Sequence, residues 1–320
     1  MVYPWQQDQW QQLIQQNKRL PHALLLTGIR GIGKAHFAVC FMRAQLCQAT
    51  YSDLCNCHSC RLIAGKSHPN ILWIEPEKAG GAIKVDQIRE VSDFVNQTSL
   101  QGEYRFVLID PASSMNINAA NALLKTLEEP AAHAILILIS EQASHLPATV
   151  LSRCQHLHFP RPEKSLAHKW LADKISTDVD LALQLTHGAP LAALHFAQQD
   201  KFAVRASLLQ VLHKLVNKQL SVLSGAAEIN EIDISFLLDT MLTVITDILH
   251  LHYDDQELIN TDFRAQLMEL QQQTSSQQLI AHMNFLMRLR AQQQQGFNHN
   301  KQLLIENLFI RWMECAHVSG

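Results

Sequence analysis

The chain has 320 residues, of which 47% are hydrophobic and 17% charged, and its formal net charge is −3. This length predicts two or three domains, and this composition excludes an intrinsically disordered protein. The slightly acidic balance argues against an autonomous DNA-binding module, because such modules are normally basic.

The N-terminal sequence MVYPWQQDQW has no basic start followed by an apolar run, so it does not resemble a secretory signal. The longest purely apolar run, residues 134–139, is too short to cross a bilayer. We therefore expect a cytoplasmic protein without membrane contact. Its seven cysteines should stay reduced there, so clustered cysteines suggest a metal rather than disulfides.

Five short apolar runs, separated by helical patterns, occupy the first half of the chain. The runs are residues 23–26, 71–74, 106–109, 135–139 and 156–159. Alternation of continuous apolar strands with helices is typical of a parallel sheet covered by helices on both faces. The first half is therefore predicted to be an α/β domain.

A phosphate-binding loop directly follows the first run. The sequence GIRGIGKA places Gly28, Gly33 and Lys34 where the P-loop pattern needs them, and Gly31 lies within the loop. The glycines let backbone N–H groups cradle phosphates, and the lysine neutralises the outer phosphates. The pattern also requires a serine or threonine to hold Mg²⁺, and Ala35 stands in its place.

A dense cysteine cluster follows the first helical pattern. Cys47, Cys55, Cys57 and Cys60 lie within fourteen residues, which favours a closed, structural, four-coordinate zinc site. Zinc-binding cysteine pairs are usually separated by two residues, but only Asn56 separates Cys55 from Cys57. One cysteine ligand is therefore open, and His58 is an alternative. The other interpretation is a degenerate module whose cysteines hold no metal.

The acidic residue expected on the metal side of a P-loop site is Asp110, at the end of the third apolar run. An active ATPase of this class usually has a glutamate next, which orients the attacking water, but here Pro111 follows. Losing the hydroxyl and this carboxylate together should reduce turnover by several orders of magnitude. We therefore expect no autonomous ATPase and weak or absent ATP binding.

Two features follow along the chain. The segment NALLKTLEEP, residues 121–130, predicts an amphipathic helix. Its polar side, with Lys125, Glu128 and Glu129, is solvated or faces another subunit and has no chemistry of its own. Arg153 ends a short helical stretch before the fifth run. An arginine there is ordinarily a solvated cap that complements the helix dipole.

The second half of the chain differs in character. Pro160 and Pro162 predict a linker, and no convincing strand follows them. We predict a P-loop domain over residues 1–162 with a cysteine-rich insertion at about 47–60, a small helical domain over 163–204, and an all-helical domain over 205–320.

These motifs in this order closely resemble the delta-prime subunit family of bacterial DNA polymerase III clamp loaders, which are AAA+ proteins. The resemblance is carried by PHALLLTG, GIRGIGKA, the cysteine cluster, SHPN at 67–70, VDQIREV at 85–91, NALLKTLEEP and LSRC at 151–154. Beyond about residue 200 it is one of length and helical character only.

The resemblance implies a fold and a role. It implies an AAA+ domain, a helical lid and a helical collar for oligomerisation. It further implies a non-motor subunit of the DNA-directed DNA polymerase holoenzyme, assembled with gamma/tau and delta subunits in a hetero-pentamer that loads a sliding clamp onto primed DNA. Arg153 would point toward ATP bound by the neighbouring subunit, and the four cysteines would hold zinc. Leu191 replaces the arginine by which motor subunits sense their own nucleotide.

Two other functions remain as alternatives at this point. An active gamma-type motor conflicts with Ala35, Pro111 and Leu191, and an ATPase assay of the single subunit would decide. A zinc-dependent nucleic-acid-binding protein conflicts with the acidic balance, and salt-dependent DNA binding by the isolated chain would support it.

Overall fold

The computed structural model describes residues 1–15, 20–49, 52, 54–78, 80–96, 104–253, 257–294 and 300–316. Three residues of the predicted insertion, at positions 50, 51 and 53, lie outside this described part. The chain forms two compact units. The α/β unit comprises Met1–Trp170 and Gly188–Ala192, and the helical unit comprises Leu171–His187 and Ala193–Gly320. The predicted division into three domains stays a prediction.

The α/β unit is built on a parallel sheet of five strands in the order β2-β3-β4-β1-β5. All five predicted runs are strands, which confirms the predicted α/β fold. The strands are β1 Ala23–Thr27, β2 Ile71–Ile74, β3 Arg105–Ile109, β4 Ala134–Ser140 and β5 Gln155–His158. Because β1 lies between β4 and β5, the P-loop that follows β1 is close to the segments that follow β4 and β5.

Helices cover both faces of the sheet. Alternate residues of β1 point to opposite faces, so Leu24 packs with Phe37 on one side and Leu25 packs with Leu123 on the other. The helices of this half are α1 Gln7–Gln15, α2 Lys34–Leu46, α3 His58–Ala64, α4 Val85–Asn96, α5 Ile117–Glu128, α6 Ala148–Leu151 and α7 Lys164–Ala172. A one-turn 3-10 helix, Pro4–Gln6, precedes α1.

The second half is helical throughout its described part, as the sequence predicts. Its helices are α8 Val179–Leu185, α9 Pro190–Gln198, α10 Lys201–Val216, α11 Val222–Glu228, α12 Ile234–His252, α13 Arg264–Gln273, α14 Ser276–Gln294 and α15 Lys301–Glu314. Trp312, fully buried, is part of a core to which α10 to α15 contribute. By length and composition, helix α12 is long and apolar enough to cross a membrane, with a mean hydropathy of 1.6. Half of this apolar segment, however, is buried inside the protein.

Candidate nucleotide site, metal centre and exposed arginine

The P-loop connects β1 to α2, as the sequence predicts. Gly28, Gly31 and Gly33 have φ angles of 144°, 82° and 91°. A residue with a Cβ atom would be strained at such positive φ angles. A Cβ on Gly33 would also lie 2.7 Å from the ring of Tyr3, so glycine is needed there for two reasons. The backbone of a phosphate-binding loop is therefore preserved.

Lys34, the phosphate lysine, is 6% exposed and bonded to its own loop. Its Nζ donates to the carbonyl oxygens of Gly28 at 2.6 Å and Ile29 at 3.0 Å. Burial lowers the pKa of Lys34, and the nearby carboxylates of Glu141 and Asp110 offset part of this shift. The lysine is thus held by internal partners that a phosphate would have to replace.

The candidate site lacks two groups that an active ATPase has, a metal-binding hydroxyl and a water-orienting carboxylate. Ala35 and Asp110 both line a cavity of about 240 Å³, and Ala35 offers no oxygen. Pro111 follows Asp110, so the water-orienting carboxylate is absent. Burial raises the pKa of Asp110, with Lys34 and Lys66 opposing the shift. Lys66 also lines this cavity, where its ammonium lies 2.6 Å from a carboxylate oxygen of Glu75.

The N-terminal residues 1–6, here called the N-terminal strap, lie over the P-loop. Gln6 is fully buried, and its side-chain amide donates to the carbonyls of Ile32 at 2.9 Å and Gly33 at 3.0 Å. The indole of Trp5 donates to the same Ile32 carbonyl at 2.9 Å. The ring of Tyr3 stacks on that of Trp5, with centroids 5.0 Å apart. The strap therefore covers the end of the loop where the first turn of α2 begins.

The start of α9 closes another side of the loop. The backbone N–H of Leu191 donates to the carbonyl of Gly31 at 3.0 Å. A Cβ on Gly31 would lie 2.5 Å from the Cβ of Ala192, so the two backbones are in close contact. Leu191 therefore reaches the loop through its backbone, whereas its side chain has no charge to offer a phosphate.

The four cysteines meet at the start of α3. The sulfur atoms of Cys47, Cys55, Cys57 and Cys60 all lie within 4.8 Å of one another. Cys47 Sγ is 3.5 Å from Cys55 Sγ and 4.0 Å from Cys57 Sγ. Tetrahedral zinc with Zn–S bonds of about 2.3 Å requires sulfurs about 3.8 Å apart. The cluster therefore fits a four-cysteine metal site, and within the described residues His58 is not part of it.

The pKa values of two cysteines of the cluster are shifted in opposite directions. Backbone N–H groups, first that of Cys60, lower the pKa of Cys57 to about 6. Burial raises the pKa of Cys60 to about 12. A thiol in that position stays protonated at neutral pH without a cation, so metal binding there requires loss of its proton.

Arg153 lies immediately after α6 and is 34% exposed. Its Nη1 donates to the carbonyl of Thr149 at 2.9 Å and to Ser152 Oγ at 3.2 Å. Its Nη2 lies 2.6 Å from a carboxylate oxygen of Glu128, the last residue of α5. The guanidinium is thus fixed by its own unit but still reachable from outside.

The sequence did not reveal two parts of this arrangement. The strap has a local signal, the aromatic pair Tyr3 and Trp5 beside Gln6, but nothing in the spacing connects it to a loop about 25 residues away. Helical periodicity places Glu128 on a polar helix side without chemistry. Its pairing with Arg153 depends on how α5 and α6 pack, which periodicity does not determine.

Comparison with protein families shows two matches. Residues 5–163 match the family described as DNA polymerase III, delta subunit. Residues 199–314 match the family described as DNA polymerase III, delta subunit, C terminal.

Full-length relatives carry related names. The chain is 35% identical to DNA polymerase III subunit delta′ of Pseudomonas aeruginosa, over 97% of each chain. It is 30% identical to the subunit of the same name from Escherichia coli, over 97% of this chain and 94% of the relative. Among solved structures, a DNA polymerase III gamma subunit-related protein from Thermotoga maritima aligns with a TM-score of 0.52 and 19% identity, covering 97% of this chain and 99% of that one. That likeness concerns the fold alone.

Proposed function

Because the chain belongs to the delta-prime family of DNA polymerase III subunits, we propose that it is a non-motor subunit of the clamp loader, the complex that loads the sliding clamp onto primed DNA during chromosomal replication. Its partners are gamma/tau and delta subunits in a hetero-pentamer within the polymerase holoenzyme, in the cytoplasm. The helices of residues 205–320 serve as the collar through which it assembles. Clamp and DNA are reached through the complex.

One observation carries the non-motor role: the P-loop backbone is intact while its ligand set is not. Ala35 offers no oxygen to a metal, and Lys34 is bonded to the carbonyls of its own loop. Phosphoryl transfer depends almost entirely on positioning and charge stabilisation, so a site without these ligands has little catalytic power. The chain therefore hydrolyses no ATP alone, and its Gly28, Gly31, Gly33, Lys34 and Asp110 form a degenerate site.

ATP binding at this degenerate site is weak or absent. The N-terminal strap donates to carbonyls of the loop, not to the N–H groups that would cradle phosphates. However, the Tyr3 ring lies against Gly33, where an approaching phosphate would contact the loop. Displacing the strap would break its buried hydrogen bonds. The free energy lost in this way would weaken nucleotide binding.

Arg153 acts in trans on the ATP of a neighbouring subunit. It is charged at any physiological pH, and its planar fork suits a γ-phosphate whose charge spreads in the transition state. Its partial exposure supports this role, since an arginine that serves another subunit must be reachable from outside its own. Hydrolysis then depends on correct assembly of the complex.

The experiment that tests this role is reconstitution of the complex with Arg153→Ala. Arginine fingers contribute at least about 10³-fold to hydrolysis, so we expect a loss of roughly that size at the neighbouring site, with assembly unchanged. Lys34→Ala in the same complex is the matched control and should retain the wild-type rate. An Arg153→Ala complex that hydrolyses ATP and loads clamps at the wild-type rate would disprove the role.

The four cysteines hold a structural zinc ion. Their sulfur spacing and their all-thiolate chemistry support zinc, and four protein ligands leave no open position for catalysis. The ion joins Cys47, which follows α2, to Cys57 and Cys60 at the start of α3, the helix that packs on α2.

A further inference from the structure

An arginine that acts on a neighbouring subunit must hold its side chain in one direction. Arginine has a long side chain with many rotamers, and an unrestrained one would lose this conformational freedom when it contacts a phosphate. Arg153 lies at the end of α6, a helix of four residues, where a side chain on the surface ordinarily moves among rotamers. The contacts of its guanidinium therefore decide how firmly the side chain is held in one orientation before it meets a phosphate.

Two of these contacts are local. Nη1 donates to the Thr149 carbonyl and to Ser152 Oγ, and Ser152 Oγ itself donates to the same carbonyl at 3.1 Å. Both partners lie within four residues of Arg153 on the same turn. They hold one edge of the guanidinium but leave rotation about that edge to be fixed by another group.

Glu128 supplies the contact that comes from a different helix. Its carboxylate oxygen lies 2.6 Å from Nη2, on the other arm of the fork. Helices α5 and α6 pack against each other, so the backbone of Glu128 is held close to the segment that carries Arg153. The three contacts together fix both the position and the plane of the guanidinium.

The arrangement leaves donors for an outside anion. A guanidinium has five N–H donors, and three contacts use three of them. The Glu128 side chain is 50% exposed, so water screens its attraction to Arg153 and a surface pair of this kind is weak. A phosphate therefore meets an oriented cation that its partner has not neutralised.

We propose that Glu128 is a positioning residue for Arg153, which sets the direction of the guanidinium toward the nucleotide of the neighbouring subunit. This inference rests on the proposed trans role of Arg153. Glu128 touches no nucleotide in this proposal. It acts only by removing rotamer freedom before the transition state forms.

The test measures ATP hydrolysis by the reconstituted complex with Glu128→Ala. Loss of one weak orienting contact should lower kcat about threefold, whereas KM for ATP should stay unchanged, because ground-state binding does not use Glu128. Glu128→Gln keeps an acceptor oxygen and should recover most of the rate. Glu129→Ala, the adjacent exposed carboxylate, is the matched control and should match the wild type.

A double variant separates positioning from any other role. Glu128→Ala combined with Arg153→Ala should be no slower than Arg153→Ala alone, because a positioning residue has no effect once its partner is gone. A further loss in the double variant, a rise in KM, or a wild-type rate for Glu128→Ala would each overturn the inference. Arg153→Ala at the wild-type rate would instead overturn the proposed function, and the inference with it.

Discussion

Buried polar groups serve different ends in the two units of this chain. In the α/β unit, Lys34 is buried in the P-loop and donates to loop carbonyls, and Asp110, which is only half-buried, lines a cavity. In the helical unit, Arg205 is 2% exposed and makes a two-fold pair with Asp262 at 2.6 and 2.8 Å. Arg205 also donates to Asn260, whose amide donates to Asp247 at 2.7 Å.

The difference shows that burial and charge alone do not identify a functional site. The Arg205 network connects α10, α12 and the segment before α13, and each of its groups satisfies another. In the α/β unit, by contrast, Asp110 lines a cavity, and the partners of Lys34 are carbonyls that a ligand could replace. The first pattern is expected of structure and the second of a former site. Substitutions of the two kinds of residue should therefore change the free energy of unfolding by different amounts.

The largest loss of stability is expected from the cysteine cluster. Cys60→Ser should abolish metal binding, because Cys60 is a buried member of a four-sulfur set. Loss of a structural metal is among the few changes that cost about 4 to 5 kcal/mol. Elemental analysis of the purified protein and urea unfolding would measure both effects. Cys40→Ser, a buried cysteine outside the cluster, should keep full metal content. Equal metal content in Cys60→Ser and the wild type would contradict the site.

The Arg205 network is the next test. Arg205→Ala leaves Asn260 and Asp262 without their cation. Breaking a buried pair costs at least about 3 kcal/mol, and we expect this lower value because Asp262 keeps some contact with water. Urea unfolding would measure the loss. Arg288→Ala, an exposed arginine of the same unit, should stay within about 0.5 kcal/mol of the wild type. A similar effect of both substitutions would remove the contrast between the units.

His282 makes the stability of the helical unit depend on pH. It is 3% exposed, neither ring nitrogen has a partner among the described residues, and burial lowers its pKa from 6.5 to about 4. Between these values the unfolded chain binds a proton that the folded chain does not, so stability falls as pH falls.

The expected loss is about 2 kcal/mol from pH 7 to pH 5. His282→Leu should reduce this dependence, whereas His195→Gln, at an exposed position, should retain it. Unfolding free energies at several pH values would measure the slope. An unchanged slope in His282→Leu would contradict the assignment.

The smallest effect is expected at the P-loop itself. Burial lowers the pKa of Lys34, so its charge at neutral pH costs folding free energy, and its two internal hydrogen bonds offset part of this cost. Lys34→Met should therefore change the free energy of unfolding by less than about 1 kcal/mol. A loss as large as that of Arg205→Ala would mean that the lysine is a structural residue.

Much of the α/β unit is predictable from local signals. Continuous apolar runs and helical spacing indicate all five strands, and the glycine pattern indicates the loop and the position of Lys34. The cysteines are predictable as a cluster because reduced thiols at such a density along the chain are typical of a zinc site. The covering of the loop by Tyr3, Trp5 and Gln6 is not predictable, because contacts over about 25 residues depend on how separate elements pack.

Ala35, Pro111 and Leu191 are read directly from the sequence, so the absence of a Mg²⁺-binding hydroxyl, a water-orienting carboxylate and a nucleotide-sensing arginine follows from it alone. It also provided the motifs that place the chain among clamp-loader subunits. The fold adds the spacing of the four sulfurs, the position of the N-terminal strap on the P-loop, and the contact of Glu128 with Arg153. The physical reason is that residue type and spacing act along the chain, whereas a contact between two helices depends on the packing of the whole unit.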